Sequence, residues 1–175
     1  MKKLFFFSLV LMLLFSCKDR DEQDTNVLPE ATQTGANTGG ALVNGEIWLA
    51  KVESPDLNPG GNNTIYSYNN VDYRIEVVLR SVKNPSGNQI SFDITVPQDI
   101  AVGNYQFFGL NENRGVYFLS PTTYFTEDGT PNGSVTITKF DKDNKIISGT
   151  FSFKAKNSDG EVVTITDGRF DKQFL

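Results

Sequence analysis

Hydrophobic and polar residues alternate with a period of two in much of the chain after residue 41. The pattern is clearest in residues 73–80, 90–96 and 147–155. Successive side chains of a strand point to opposite faces, so each segment is predicted to form a half-buried β-strand. The predicted inward-facing residues are Tyr73, Ile75, Val77, Leu79, Ile90, Phe92, Ile94, Val96, Ile147, Phe151, Phe153 and Ala155.

Clusters of turn-forming residues separate the alternating segments, at residues 84–88, 127–133, 141–144 and 157–160. Gly, Asn and Asp tolerate positive φ, and Asn, Asp and Ser bond back onto their own backbone. The end of the chain is therefore predicted to be a meander of three strands, over residues 134–140, 145–156 and 161–170. Gly168 is predicted to mark a bulge or a second turn.

Short strands at regular spacing predict an all-β fold, either an antiparallel β-sandwich or a partly closed β-barrel. The period of two does not choose between them. The predicted domain covers residues 41–175, which is an ordinary size for a single core.

The N-terminus carries a basic start and an apolar run from Leu4 to Phe15. Twelve residues are too few to span a bilayer, because a membrane-spanning helix needs about 20 apolar residues. The pattern is typical of a signal peptide, so residues 1–16 are predicted to be removed on export.

The residues Leu14, Phe15, Ser16 and Cys17 resemble the lipobox of bacterial lipoproteins. Phe15 departs from the smaller residue that is usual at its position. The resemblance implies cleavage after Ser16 and lipidation of Cys17, the single cysteine of the chain; the alternative is a buried or incidental cysteine. Acyl chains contribute about 0.8 kcal/mol per buried methylene, so two or three of them give stable anchoring in a membrane.

Residues 18–38 contain few aliphatic side chains and are predicted to be a disordered tether, with a lipidated linker over residues 17–40. A coil of this length spans roughly 25 Å. The domain from Gly39 onward is therefore expected to fold without it. The run Lys18–Asp24 resembles an acidic export signal to the outer face of the outer membrane, and a solvated linker is the alternative. The expected location is the outer membrane, exposed at the cell surface or facing the periplasm.

The formal net charge is −5, and loss of Lys2 and Lys3 with the signal peptide changes it to −7. An acidic chain argues against binding to nucleic acid, whose phosphates call for basic patches. With one cysteine, no internal disulfide is expected, and the domain is predicted to be a monomer held by core packing.

Two stretches resemble an uncharacterised family of Bacteroidota lipoproteins. The first runs from residues 28–38 into Leu42-Val43-Asn44-Gly45-Glu46-Ile47-Trp48, and the second joins residues 149–153 to residues 163–170. Where relatives carry a cysteine before the Val-Asn-Gly, this chain has Gly40-Ala41. The resemblance implies an envelope location and a β-fold, and it supplies no catalytic residue.

The sequence predicts a protein that is not an enzyme. It contains no histidine, which removes imidazole bases and the common zinc sites. A glycosidase needs two carboxylates about 5 to 10 Å apart, and Glu76, Asp93 or Glu112 offer such a pair. The alternative, which is favoured, makes each of them an outward-facing or loop charge. Residues 58–63 have turn chemistry without a Walker lysine, so no cofactor is expected.

Calcium is a weaker hypothesis. Asp141 and Asp143 supply alternating oxygen ligands like the first half of an EF-hand loop, and Asn157, Asp159 and Glu161 repeat the spacing. The later glycine and the glutamate at position twelve are missing. Two hairpin turns are therefore the favoured interpretation, and no metal site is predicted.

Aromatic residues are concentrated in the central third of the chain. Neighbours such as Phe107 and Phe108, or Tyr117 and Phe118, point to opposite faces of a strand and cannot both enter one core. Trp48 is predicted to be a core residue. Exposed aromatic rings suit sugar or protein ligands, because they combine apolar area with a polar tip. The candidate ligand-binding residues are Tyr66, Tyr68, Tyr105, Tyr117 and Tyr124.

The favoured function is thus a non-catalytic binding module for a glycan or a protein. A structural envelope component without a ligand is the second hypothesis, and a carboxylate-dependent glycosidase is the third. For the aromatic residues, the alternative to a ligand site is a set of caps that close the edges of the core.

Overall fold

A computed structural model describes residues 27–51, 64–109 and 113–175. These ranges contain eleven antiparallel strands and no helix, and so no helix that meets the length and apolarity of a membrane span. The signal peptide, Cys17, linker residues 18–26, the loop at 58–63 and Glu112 lie outside them. The strands are β1 (Thr38–Val43), β2 (Glu46–Leu49), β3 (Thr64–Tyr68), β4 (Tyr73–Arg80), β5 (Asn88–Val96), β6 (Gly103–Gln106), β7 (Arg114–Leu119), β8 (Thr122–Phe125), β9 (Gly133–Asp141), β10 (Ile146–Lys156) and β11 (Val162–Gln173).

The strands form one curled sheet, a half-barrel, in the order β2-β1-β11-β10-β8-β7-β5-β4-β3, with β9 beside β10 and β6 beside β9. The curl brings its two edges together. The residue after β2, Ala50, bridges to Ser81 after β4, and Val82 N donates to Leu49 O at 2.9 Å. At the opposite end, Leu175 N donates to Thr64 O of β3 at 3.1 Å. Of the two predicted architectures, the partly closed barrel matches this arrangement.

The core lies inside the curl and confirms the predicted alternation. Phe92 lies at its centre, with ring centroids 5.4 Å from Phe151 and 5.1 Å from Phe170. Phe151 and Phe153 are buried, while Ser152 and Lys154 between and after them are exposed. Tyr73 and Val96, at the strand ends, are only half-buried and pack against the core.

The predicted meander is present as β9, β10 and β11, and the irregularity predicted at Gly168 is a bulge. Phe151 pairs with Gly168, whereas Phe153 pairs with Ile165, so β11 holds one extra residue. Asp167 takes up the bulge with a φ of 51°. A Cβ on Gly168 would lie 2.5 Å from the Phe151 ring, which explains why glycine stands there.

The predicted disordered linker is wrong for its second half. β1 begins at Thr38, and the segment 28–37, here called the N-terminal strap, lies on the outer face of the sheet. Pro29 and Leu28 cover Gly40, where an added Cβ would lie 2.9 Å from Pro29 Cδ. On β9, Lys139 Nζ donates to the Gln33 carbonyl at 3.1 Å. The strap is held by polar contacts, which a count of aliphatic residues does not detect.

Asp171 of β11 is the main attachment point of the strap. Its neighbour Phe170 is in the core, so Asp171 points to the outer face, yet it is only 1% exposed because the strap covers it. Its carboxylate accepts hydrogen bonds from Thr32 Oγ1 (2.7 Å), Thr34 N (2.9 Å), Gly35 N (2.8 Å), Ala36 N (3.2 Å) and Ser148 Oγ (2.7 Å). Burial opposes ionisation, but these donors lower the pKa of Asp171 to about 2.

Candidate ligand-binding groove

One end of the half-barrel, here called the mouth, is formed by the β1–β2, β4–β5, β7–β8 and β10–β11 connections. The antiparallel register places them together. Asn44 N of the β1–β2 connection donates to Thr164 O, next to the β10–β11 connection, at 2.8 Å. Ser120 N of the β7–β8 connection donates to Gly87 O of the β4–β5 connection at 2.8 Å. Side chains that project from these four connections therefore surround one opening.

The first hollow of the mouth, the Trp hollow, has a volume of about 220 Å³ and lies between the β1–β2 hairpin and the β4–β5 turn. Trp48 and Tyr117 supply its aromatic walls, and Asn88 is the polar group between them. Glu46 and Lys83 bring one charge of each sign to the same hollow.

Trp48, Asn88 and Tyr117 form a connected unit. Trp48 Nε1 donates to Asn88 Oδ1 at 2.9 Å, and the Asn88 side chain also faces the Tyr117 hydroxyl, whose pKa it acts to lower. Both rings are almost fully buried, at 6% and 5% exposure, so the Trp48 prediction as a core residue is confirmed. Burial raises the pKa of Tyr117, which stays neutral. The walls of the Trp hollow are thus fixed before any ligand arrives.

A second hollow, the Tyr hollow, adjoins the first and has a volume of about 320 Å³. Tyr117 and Val43 line both hollows. The ring centroids of Tyr117 and Tyr124 are 5.8 Å apart. Glu161 Oε2 accepts hydrogen bonds from Tyr124 Oη at 3.2 Å and from Asn157 Nδ2 at 2.7 Å. The two hollows together are called the mouth groove.

Exposed aliphatic side chains border the mouth groove. Ile47 is 40% exposed, Leu119 44% and Val162 56%. Ile47 lines the Trp hollow, while the other two line the Tyr hollow. A concave site with aromatic walls, a few fixed polar groups and an apolar border has the composition of a small-molecule site, and such sites occur in the mouths of β-barrels.

Tyr66 and Tyr68 lie at the opposite end of the half-barrel. Tyr68 stacks on Tyr73 with centroids 4.5 Å apart, and Tyr66 packs against Phe174 at 5.7 Å. Tyr66 Oη donates to Asp99 Oδ1 at 2.6 Å. Tyr66 and Tyr73 pack against the core at this end, whereas Tyr68 is 53% exposed.

The Asp99 carboxylate also accepts a hydrogen bond from Lys142, whose Nζ lies 5.0 Å from the Tyr66 ring centroid. Burial acts to raise the pKa of Asp99, but the bonds from Lys142 and Tyr66 bring it below its usual value. The polar groups of Tyr66, Asp99 and Lys142 are therefore paired with one another.

Tyr105 occupies a third place, on β6. Its hydroxyl donates to Ala101 O at 2.8 Å and accepts from Ala101 N at 3.0 Å, which fixes the turn before the strand. The five candidate tyrosines thus fall into three separate locations. Tyr66 and Tyr68 share the opposite end, Tyr105 stands alone, and Tyr117 and Tyr124 lie together at the mouth.

The strand carboxylates lie on the outer face of the sheet, away from the mouth groove. Asp93 is bonded by Arg74 Nε at 3.1 Å and by Arg114 Nε at 2.8 Å. Glu76 forms an ion pair with the same Arg74 at 3.2 Å. Asp93 and Glu76 are thus both paired with arginine side chains on the outer face. Their positions fit the interpretation that they are outward-facing charges of the sheet.

Asp141 stabilises the β9–β10 turn through hydrogen bonds from Asn144. Its two oxygens accept bonds from Asn144 N at 3.0 Å and Asn144 Nδ2 at 2.9 Å, and the backbone bond is the main reason why the pKa of Asp141 is lowered. Asp143 is exposed in the same turn. Within residues 27–51, 64–109 and 113–175, no group of three or more Asp, Glu, His or Cys side chains is placed to hold a metal ion.

The sequence does not point to Asn88 or Glu161 as residues that bind a glycan or a protein, and Glu161 enters only the calcium hypothesis. Asn88 is the last residue of a turn cluster, and Glu161 follows another, so both match the ordinary pattern of turn residues. No local signal separates them from other turn residues. Their role depends on the sheet order, which brings Asn88 next to Trp48 from 40 residues earlier in the chain.

The fold and the groove define an all-β, half-barrel domain with a small-molecule-sized groove at one end. A family model described as Domain of unknown function (DUF6252) matches residues 40–172, and the chain belongs to that family. No curated protein and no solved structure matches the chain.

Proposed function

We propose that this protein is a lipid-anchored lipoprotein of the cell envelope whose half-barrel binds a glycan without chemically altering it. The lipobox at Leu14–Cys17 supports the anchor. Val27, where the described fold begins, is ten residues after Cys17, so at most about 35 Å of extended chain separates the lipid from the strap. The domain is held closer to the membrane than a free linker through residue 40 would allow.

The anchor is tested by Cys17→Ser. Serine has no thiolate to form the thioether, so the variant should take up no labelled palmitate and should stay uncleaved or soluble. Labelling of the variant equal to that of the parent would contradict the anchor. Antibody access on intact cells then distinguishes the proposed surface exposure at the outer membrane from a periplasm-facing domain.

The observation that supports glycan binding is the connected unit Trp48–Asn88–Tyr117 in the Trp hollow. A sugar ring offers C–H groups to aromatic rings and hydroxyl groups to amides and charged side chains. Sites for drug-sized ligands have volumes of about 300 to 1,000 Å³. The 220 Å³ of the Trp hollow therefore suits a group of one ring.

We propose binding without catalysis because the carboxylates of the glycosidase hypothesis that the structure describes lie away from the groove and already have partners. Asp93 and Glu76 bind arginines on the outer face. In the groove, Glu161 is an acceptor for Tyr124 and Asn157. Chromatography of a glycan kept overnight with the protein should show no shortened products, and their appearance would favour the glycosidase hypothesis.

Calorimetry with neutral gluco-, xylo- and chito-oligosaccharides tests the binding itself. The mature protein is kept in a zwitterionic detergent without a sugar headgroup. Tyr117→Phe, which removes only the hydroxyl next to Asn88, should weaken binding by roughly tenfold, the value of one net hydrogen bond. The matched Tyr68→Phe at the opposite end should bind as the parent does. Equal effects of the two variants would contradict the site.

A further inference from the structure

The Trp hollow and the Tyr hollow share one wall, and we propose that the mouth groove binds a neutral linear oligosaccharide that crosses Tyr117 and occupies both. This inference rests on the proposed glycan binding and specifies its ligand. Tyr117 and Val43 line both hollows, so the two spaces adjoin. A ligand of one ring would fill only one of them.

Aromatic contacts are available along the whole groove. Trp48 and Tyr117 line the Trp hollow, and Tyr117 and Tyr124 line the Tyr hollow, with the Tyr117 and Tyr124 centroids 5.8 Å apart and their planes at 41°. The shared Tyr117 is 5% exposed and packs against Tyr124, so it is fixed in place. A linear chain that crosses Tyr117 therefore meets an aromatic side chain in each hollow.

Hydrogen-bonding groups in the Tyr hollow suit ligand hydroxyls. Glu161 Oε2 is used by Tyr124 and Asn157, whereas Oε1 has no hydrogen bond within residues 27–51, 64–109 and 113–175. That oxygen is an acceptor on the wall of the hollow, and a sugar hydroxyl is a donor that fits it. The aliphatic border by itself would suit an apolar ligand as well as a sugar. An apolar ligand has no hydroxyl group to donate to Glu161, so this acceptor favours the sugar.

The charges of the groove favour a neutral chain. Glu46 and Glu161 stand at its two sides and Lys83 is its cation, so acids outnumber bases among the lining residues. A chain of uronic acids would bring its carboxylates near these glutamates and meet repulsion. The aliphatic side chains Ile47, Leu119 and Val162 lie at the border, where they contact C–H faces of the outer rings.

The test is the dependence of affinity on chain length. Glucose, cellobiose, cellotriose and cellotetraose, with the matched xylo- and chito-oligosaccharide series, are titrated into the mature protein in the sugar-free detergent. Affinity should rise at least about tenfold from the monosaccharide to the tetrasaccharide of the series that binds, which corresponds to 1.4 kcal/mol, and then level off once both hollows are filled.

Variants separate the two hollows. Glu161→Gln and Tyr124→Phe should lower the tetrasaccharide affinity more than the monosaccharide affinity, while Tyr117→Phe should lower both. Tyr68→Phe is the control, and thermal melts confirm that every variant is folded. If all lengths bind equally and Tyr117→Phe weakens them, the linear-chain inference is wrong and the proposed function stands. Binding of no member of the three series overturns both.

Discussion

Asp171 and Thr32 are 139 residues apart in the chain, and Thr32 Oγ1 donates a 2.7 Å hydrogen bond to the Asp171 carboxylate. The bond joins the last strand to the strap that precedes the first. Three backbone N–H groups of the strap converge on the same carboxylate, at Thr34, Gly35 and Ala36. The strap is therefore part of the folded domain, and its removal exposes a buried charge.

The first prediction concerns acid stability. The pKa of Asp171 is lowered to about 2 in the fold from its ordinary value of 3.8. A lowered pKa adds stability that is present above pH 3.8 and is lost as the pH falls toward 2, here about 2 kcal/mol. Urea titrations between pH 6 and pH 2 should show this loss in the parent.

Asp171→Asn is the control for the acid effect, since it keeps the shape and loses the titration. Its stability should be lower at pH 6 and should depend less on pH below 4. Other acids with lowered pKa values, such as Asp99 and Asp141, remain in both proteins and cancel in the comparison. Parallel curves for the two proteins would show that Asp171 does not contribute in this way.

The second prediction concerns truncation. A chain that begins at Val27 keeps the donors to Asp171, whereas one that begins at Gly39 loses all of them except Ser148. Water replaces these donors at the newly exposed carboxylate, so the loss is the net value of hydrogen bonds to a charged group, about 1.5 to 3 kcal/mol each at most. The shorter chain should melt several degrees lower by circular dichroism, contrary to the expectation from sequence that Gly39 is a sufficient start. Identical melting temperatures would show that the strap adds no stability.

The third prediction compares neighbours on β10. Phe151→Ala removes a buried ring that packs on Phe92 and Phe170, and the cavity should cost about 3 to 5 kcal/mol. Ser152→Ala alters an exposed side chain and should cost under about 0.5 kcal/mol. Urea denaturation measures both values. Similar midpoints for the two variants would mean that the register of β10 is different.

The strands and the core could be predicted from the sequence because alternation is a local signal. Phe151 and Phe153 are inward and Ser152 is outward for the same reason. The bulge could be placed from Gly168, since glycine within a strand marks a backbone irregularity. These features depend on residues within a few positions of one another.

Contacts between distant residues could not be predicted in this way. The strap is poor in aliphatic residues, and its order depends on Asp171 at the far end of the chain. The five tyrosines look equivalent in the sequence, but strand direction sends Tyr66 and Tyr117 to opposite ends of the half-barrel. The sheet order that sorts them results from pairing across the whole chain, which periodicity does not encode.

The central claim is that the mouth groove holds the glycan, and Trp48 allows a direct measurement. It is the single tryptophan of the chain, so its indole N–H gives one assignable resonance in a two-dimensional NMR spectrum of the mature protein. Titration with the tightest-binding oligosaccharide should shift this resonance and the Asn88 side-chain amide, while the backbone amides of Tyr68 and Tyr73 stay in place. Saturable shifts confined to Tyr68 and Tyr73, with the Trp48 resonance unmoved, would contradict the account.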